Sequence, residues 1–264
     1  MGLAIALVLV LLCVVSVIMF SGHYWWFPPL ISTYTGYDKQ FMLTLIIVAI
    51  VFILAQLALG YFVWKYRDRA GRKATYVEGN NTMEVLWTSI TFVIFIGLGI
   101  LGQRVWAQFH FAEPPANAME VEVTGQQFQW NIRYPGADGQ FGRTEAKYVD
   151  ESALNFVGVD PHDPAGKDDI ASINRMVIPV NQPVKVLLHS KDVTHSFFVP
   201  GLRIKQDAVP GMTITIHFTA TKTGEYEIPC AELCGLGHYK MRGILDVRTP
   251  VEYQQWLKKQ ASQE

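Results

Sequence analysis

The chain has 264 residues, of which 50% are hydrophobic and 17% charged, and its formal net charge is -1. That balance excludes a nucleic-acid binder, which needs a basic face, and a disordered tail, which needs few apolar residues and a high net charge. No nucleic-acid partner is expected.

The apolar residues are unevenly spread. Residues 3–20, 41–64 and 85–101 are almost uninterrupted Leu, Ile, Val, Phe, Ala and Gly. A helix of about 20 residues crosses a hydrocarbon core of about 30 Å, so three membrane helices are expected. The first, within residues 1–22, has the length of a signal-peptide core. It lacks a positive n-region and a small-x-small cleavage site, and Cys13 follows Leu11-Leu12 without the small residue of a lipoprotein signal. A retained helix is favoured over a cleaved peptide. The second and third helices form a hairpin within residues 38–108.

Lys65-Tyr66-Arg67-Asp68-Arg69-Ala70-Gly71-Arg72-Lys73 joins the second and third helices. Short basic loops stay on the cytoplasmic side, so everything after residue 106 is expected outside. Tyr24, Trp25, Trp26, Phe27, Trp64, Trp87 and Trp106 stand where interfacial aromatic anchors belong. Glu84 opens the third helix, where the helix dipole alone favours a carboxylate. A plasma (inner) membrane protein of a bacterium is expected, with its outer domain in the periplasm; the alternative is the mitochondrial inner membrane.

From Met119 the pattern changes to short strands and turns. Val121 to Ile132 reads as a first strand region, followed by Met176-Val177-Ile178, Val184 to Leu188, Thr213 to Phe218, Glu225 to Ile228 and Gly243 to Val247. Residues 109–264 are therefore predicted as an all-β, antiparallel sandwich or barrel. Residues 136–171 read as a long irregular loop. Thr249-Pro250-Val251-Glu252 caps a C-terminal helix with Tyr253, Trp256 and Leu257 on its apolar stripe. His23, His110, His162, His189 and His217 carry no expected metal role, and without Cys-x-x-Cys-His no haem c domain is expected.

The densest chemistry lies in Cys230-Ala231-Glu232-Leu233-Cys234-Gly235-Leu236-Gly237-His238-Tyr239-Lys240-Met241. Upstream, His195 supplies a second imidazole from a segment that reads as the end of a strand. Two Cys, two His and one Met exceed a tetrahedral zinc site, and soft sulfur ligands select copper. A trigonal one-copper site needs one Cys, so two cysteines argue for two copper ions sharing sulfur. A disulfide, a zinc site and a one-copper site compete with this reading, but a disulfide leaves the offsets of His238 and Met241 unexplained. Protonation of thiolates and imidazoles is expected to release the metal in acid.

The run Cys-x-Glu-x-Cys-x-x-x-His-x-x-Met, with Asp192-Val193-Thr194-His195-Ser196 and Lys205-Gln206-Asp207-Ala208-Val209-Pro210-Gly211 before it, resembles subunit II of cytochrome c oxidase over roughly residues 40 to 260. The resemblance implies a cupredoxin-like outer domain and a binuclear copper A centre. Its ligands would be His195, Cys230, Cys234, His238, Met241 and the backbone carbonyl of Glu232, whose side chain would reach a magnesium ion shared with subunit I. It also implies that Glu84 marks a proton-uptake entrance into subunit I, that Asp192 helps dock the donor and that electrons enter at Phe128 and Trp130. The partners would be subunit I, the other oxidase subunits and a c-type cytochrome. An extra N-terminal helix departs from the family's two-helix hairpin.

Other departures concern the donor. The family's Gln-Trp-x-Trp is Gln127-Phe128-Gln129-Trp130 here, Lys191 precedes Asp192, and Ile173 stands where an acid is common. A weaker acidic patch would reduce steering of a basic soluble cytochrome, so the donor expected is a membrane-attached cytochrome or a complex already docked beside the oxidase. The function expected is the electron-accepting subunit of a proton-pumping, oxygen-reducing haem–copper oxidase, with no catalytic residue in this subunit. The alternatives are the same subunit in a haem–copper nitric oxide reductase and a copper-delivery or storage protein.

Overall fold

The computed structural model describes residues 2–22, 27–73, 75–76 and 78–261. His23, Tyr24, Trp25 and Trp26 lie outside the described residues. The chain divides into a helical unit (Met1–Phe27 and Gly36–Gln108) and a β unit (Pro28–Thr35 and Phe109–Glu264).

The helical unit contains α1 (Gly2–Ser21), α2 (Thr35–Lys65) and α3 (Asn81–His110). Each is long and apolar enough to cross a membrane. Gly60 of α2 lies against Ala6 of α1, and Gln40 of α2 donates to the Leu98 carbonyl of α3 (3.4 Å). Most of the remaining apolar side chains face outward, including Leu54, Phe92 and Phe95, as expected of helices solvated by lipid or by other membrane helices. Trp64 and Trp87 are exposed at the end carrying the basic loop, and Trp106 at the other. Asn80 caps α3 through Oδ1, which accepts the Met83 N–H (3.1 Å), and places Glu84 in the first turn.

The β unit holds β1 (Met119–Gln126), β2 (Gln129–Tyr134), β3 (Ile170–Ile173), β4 (Arg175–Pro179), β5 (Pro183–Ser190), β6 (His195–Val199), β7 (Ile204–Ala208), β8 (Ile214–Thr219), β9 (Gly224–Pro229), β10 (Arg242–Arg248) and the helix α4 (Pro250–Ala261). One sheet runs β3-β2-β1-β5-β8 and a second β4-β10-β9, while β6 and β7 pair separately. Alternation places Val184, Val186 and Leu188 of β5 inside, with Val121, Val123, Trp130, Ile132, Met176, Ile178, Phe197, Ile228 and Leu245. This is the all-β, cupredoxin-like domain expected.

Three details differ from the sequence reading. The sandwich is not wholly antiparallel, because β1 pairs parallel with β5 and β4 with β10. Long crossovers separate these strands, and parallel neighbours require such connections. The single region over Val121 to Ile132 is two strands, turned at Gln127-Phe128 with Gln126 opposite Gln129. The excursion over 136–171 is irregular as expected except at its end, where Ile170 and Ala171 belong to β3, and it is tied down by carboxylates: Asp168 Oδ2 accepts the Ala137 N–H, Asp169 Oδ2 the Gly142 N–H and Asp163 Oδ2 the Arg143 N–H.

The segment 28–35 folds with the β unit. Ile31 is buried there, and Ser32 Oγ donates to the Leu202 carbonyl (2.9 Å). At the far end of the chain, Trp256 of α4 meets the ring of Tyr134 edge-on at 5.1 Å.

Candidate metal centre

The ligand-rich segment leaves β9 and returns in β10, so its two ends are held by neighbouring antiparallel strands. The Cys230 N–H donates to the Met241 carbonyl (3.0 Å) and closes the loop at its base. A single turn over His238–Lys240 shapes its far side, with the His238 N–H on the Gly235 carbonyl (3.0 Å) and the Lys240 N–H on that of Gly237 (2.9 Å). The Ala231 N–H donates to the Ser196 carbonyl (3.0 Å), joining the loop to β6. His195 is the first residue of that strand rather than the end of one, and its ring is fully buried.

These elements bring the sequence-predicted ligands together. The Sγ atoms of Cys230 and Cys234 are 3.9 Å apart, and both cysteines are free and buried. His195 Nδ1 lies 3.9 Å from Cys230 Sγ, and His238 Nδ1 lies 3.6 Å from Cys234 Sγ. Met241 Sδ is 3.8 Å from Cys234 Sγ, and the Glu232 carbonyl is 3.2 Å from Cys230 Sγ. One ligand atom each from His195, Cys230 and Cys234 falls within 4.8 Å of the others. Sulfurs at this spacing can share a metal ion at bond lengths of about 2.3 Å. The donor set is soft, with imidazole nitrogens on both sides, and suits copper.

Electrostatics favour one thiolate readily and a second only with help. Burial raises the Cys230 thiol, but the His195 ring and the backbone groups of Glu232 and Ser196 outweigh it and bring it below the ordinary thiol range. Burial and the neighbouring Cys230 push Cys234 up. Two thiolates this close repel each other until a cation lies between them.

The remaining predicted residues take distinct places. Trp130 is fully buried, its Nε1–H donates to the Ile228 carbonyl (3.1 Å) and its ring centre is 6.1 Å from that of His195. Phe128 is the surface aromatic, 38% exposed, with its ring on the backbone of Gly235 and Gly237. Gly235 adopts φ +128°, and a Cβ there would come within 2.8 Å of Gln127 Nε2, so this position requires glycine. The Asp192 carboxylate turns inward: Oδ1 lies 2.8 Å from His195 Nε2, and Oδ2 accepts the Gln127 N–H (2.8 Å). Burial would raise its pKa, but the Gln127 N–H, the His195 ring and the Val193 N–H hold it below the usual carboxylate range. The Glu232 side chain is exposed. Gln127 escaped the sequence reading because no ligand chemistry marks it, yet its Nε2 donates to the Cys234 carbonyl (2.6 Å).

The family model for the periplasmic domain of cytochrome c oxidase subunit II matches residues 119–247, and the model for its transmembrane domain matches residues 31–105. The alternative cytochrome c oxidase subunit 2 of Bradyrhizobium diazoefficiens is 37% identical over 260 residues, 98% of this chain and 92% of the relative. Cytochrome c oxidase subunit 2 of Cereibacter sphaeroides is 31% identical over 226 residues, covering 81% and 72%. The solved periplasmic domain of subunit II of cytochrome oxidase from Bradyrhizobium japonicum superposes with a TM-score of 0.42 at 29% identity, over 57% of this chain and 99% of that one.

Proposed function

The chain belongs to the cytochrome c oxidase subunit II family, and we propose that it is the subunit through which electrons enter a respiratory haem–copper oxidase. The observation that carries this reading is the convergence of His195, Cys230, Cys234, His238, Met241 and the Glu232 carbonyl around two free sulfurs 3.9 Å apart. The thiolates of Cys230 and Cys234, the imidazoles of His195 and His238, the thioether of Met241 and the Glu232 carbonyl would suit a pair of copper ions. Bound there, the copper pair supplies a one-electron couple whose charge change is spread over two metals, so little rearrangement accompanies transfer.

The protein's part is to hold the ligands still and dry. His195, Cys230, Cys234 and Met241 are buried, which excludes water. The loop's backbone bonds and its tie to β6 fix the positions of the candidate ligands, and Met241 would offer a weak thioether donor to the copper. The Glu232 carboxylate, exposed beside the cluster, is read as a ligand to magnesium shared with subunit I. With copper held by these residues, the site would accept electrons from a c-type cytochrome near Phe128 and supply them to haem in subunit I of an oxygen-reducing, proton-pumping oxidase. Trp130, packed beneath His195, is read as part of that route, and Glu84 as the mouth of a proton path. The basic loop between α2 and α3 supports a cytoplasmic inner end and a periplasmic copper domain, with α1 retained as a third span.

Copper analysis and electron resonance of the purified complex test this reading. The expected result is two copper ions at this site, with hyperfine splitting from two equivalent nuclei, and oxygen uptake driven by a reduced c-type cytochrome. A single localised copper, zinc in its place, or nitric oxide turnover without oxygen turnover would overturn it.

A further inference from the structure

Asp192 and Gln127 stand behind the ligands on opposite sides of one turn. His195 Nδ1 faces the sulfurs, so its Nε2 carries the N–H and donates it to Asp192 Oδ1 at 2.8 Å. The same Oδ1 accepts the Val193 N–H (2.7 Å), and Oδ2 accepts the Gln127 N–H (2.8 Å). Gln127 then reaches the other way, its Nε2 donating to the Cys234 carbonyl (2.6 Å). The 190–192 segment is fixed beside this turn by the β1–β5 pairing and by the Lys191 N–H on the Gly125 carbonyl (2.9 Å). A ligand on β6 and a ligand on the β9–β10 loop, 39 residues apart in sequence (234 − 195), are thus tied through a single turn.

We infer that Asp192 and Gln127 form a clamp that positions both halves of the copper site and sets its electron affinity, so that Asp192 acts on His195 rather than on the donor. A carboxylate that accepts the second N–H of a metal-bound imidazole makes the ring a stronger donor and fixes its orientation. A stronger donor favours the oxidised metal and lowers the reduction potential. With Oδ1 and Oδ2 accepting three hydrogen bonds from within the domain and the side chain only 28% exposed, Asp192 offers a docking cation little. Gln127 does for the loop what Asp192 does for the histidine: its amide holds the Cys234 carbonyl and hence the direction of that thiolate.

The inference rests on the copper reading, and the test separates the two. In the purified oxidase complex, Asp192→Asn keeps the shape and removes the charge. The reduced-to-oxidised ratio of the copper centre at a fixed applied potential should rise about tenfold, equivalent to about 59 mV for a one-electron couple. The copper hyperfine splitting should change with no donor present, and KM for a c-type cytochrome should stay within about twofold. Gln127→Leu should alter the splitting and speed copper loss to a chelator. If Asp192→Asn fails to load copper, Asp192→Glu should restore loading, because it restores the charge; failure of both overturns the inference. A raised KM with unchanged potential and spectrum also overturns it and makes Asp192 a docking residue. Absence of a binuclear copper signal in the unaltered complex sinks the copper reading instead.

Discussion

The ring of Phe128 lies on the backbone of Gly237, so close that a Cβ added at Gly237 would overlap it. Gly237 also opens the turn that carries His238. Position 128 therefore governs both the surface over the candidate metal site and the placement of His238, a candidate ligand. Gly237→Ala forces the ring or the turn to move, and overpacking of this kind costs about 1–3 kcal/mol. Its expected effects are a lower unfolding temperature and reduced copper content. Phe128→Ala in the same chain opens the space and should recover both; a Gly237→Ala protein with full copper and unchanged stability would contradict the contact.

Phe128 occupies the place where the family resemblance sets an indole, and the charges around it are weak. Lys191 is 3.7 Å from Glu151, Ile173 is 42% exposed, and Asp192 is committed inward. Exposed charges steer association only when they are uncompensated, and salt screens them. Cytochrome oxidation should therefore change little between low and physiological ionic strength, with a shallower slope than charge-steered pairs give. Phe128→Trp should raise kcat/KM for a soluble cytochrome c and leave the salt slope alone. A steep fall in rate with salt would count against an apolar donor contact.

Glu84 sits in the first turn of α3, behind the Asn80 cap. A carboxylate there is explained by the helix dipole alone, at about 0.3–1 kcal/mol. The proton-path reading makes a different forecast. Glu84→Ala should slow oxygen turnover while copper content, its spectrum and cytochrome binding stay unchanged, whereas Glu84→Gln, which retains shape, should be as slow. Normal turnover in both variants leaves only the dipole role.

The cluster of candidate ligands was legible because two thiols, two imidazoles and a thioether at such offsets suit little besides a soft metal, and the structure brings them together; the apolar spans were legible because a membrane demands long apolar helices. The strands Val184 to Leu188 and Thr213 to Phe218 announced themselves by alternation. What escaped depends on tertiary pairing. β3 and β7 are short and partly polar, so Ile170–Ile173 and Ile204–Ala208 carry weak periodicity. The parallel pairing of β1 with β5 depends on crossovers that no local pattern encodes. The roles of Gln127 and Asp192 are invisible for the same reason: Gln127 reaches Cys234, 107 residues away, and Asp192 Oδ2 reaches the Gln127 N–H, 65 residues away.

The α4 cap was readable and is tested simply. The Glu252 N–H donates to Thr249 Oγ1 (3.3 Å), while Glu252 Oε2 accepts the Thr249 N–H (3.0 Å). This reciprocal pair satisfies helix N–H groups that otherwise lack partners. Thr249→Ala should cost about 1 kcal/mol and loosen Trp256 from Tyr134. Denaturant unfolding followed by tryptophan fluorescence should show an earlier transition; an unchanged midpoint would mean that packing alone holds the helix.

Arg133 ties a half-buried carboxylate, Glu122, and a buried one, Asp169, that respond to acid in opposite senses. It lies 2.6 Å from Glu122 and 2.7 Å from Asp169. Burial would raise the Glu122 carboxyl, but the His189 ring and the Arg133 guanidinium hold it below the carboxylate range. A lowered folded pKa gives stability that is full above the unfolded value, about 4.3, and is lost as pH falls through the folded one. Asp169 goes the other way: burial outweighs the Gly142 N–H and Arg133 and raises it, and its Oδ1 has no hydrogen-bond partner among the described residues. Its charged form is penalised above the raised folded pKa, and the penalty disappears as pH falls through the unfolded one. Glu122→Gln should therefore be most destabilising near neutrality and lose its effect below about pH 4, measured by denaturant midpoints across pH. Asp169→Asn should show a weaker cost or a gain near neutrality, because it removes the buried charge as well as an Arg133 contact. Arg133→Met removes the guanidinium from both carboxylates, leaving Glu122 with His189 and Asp169 with the Gly142 N–H, and should cost about 3–5 kcal/mol near neutrality, shrinking in acid as they protonate; equal costs at both pH values would mean that packing, not charge, is what Arg133 provides.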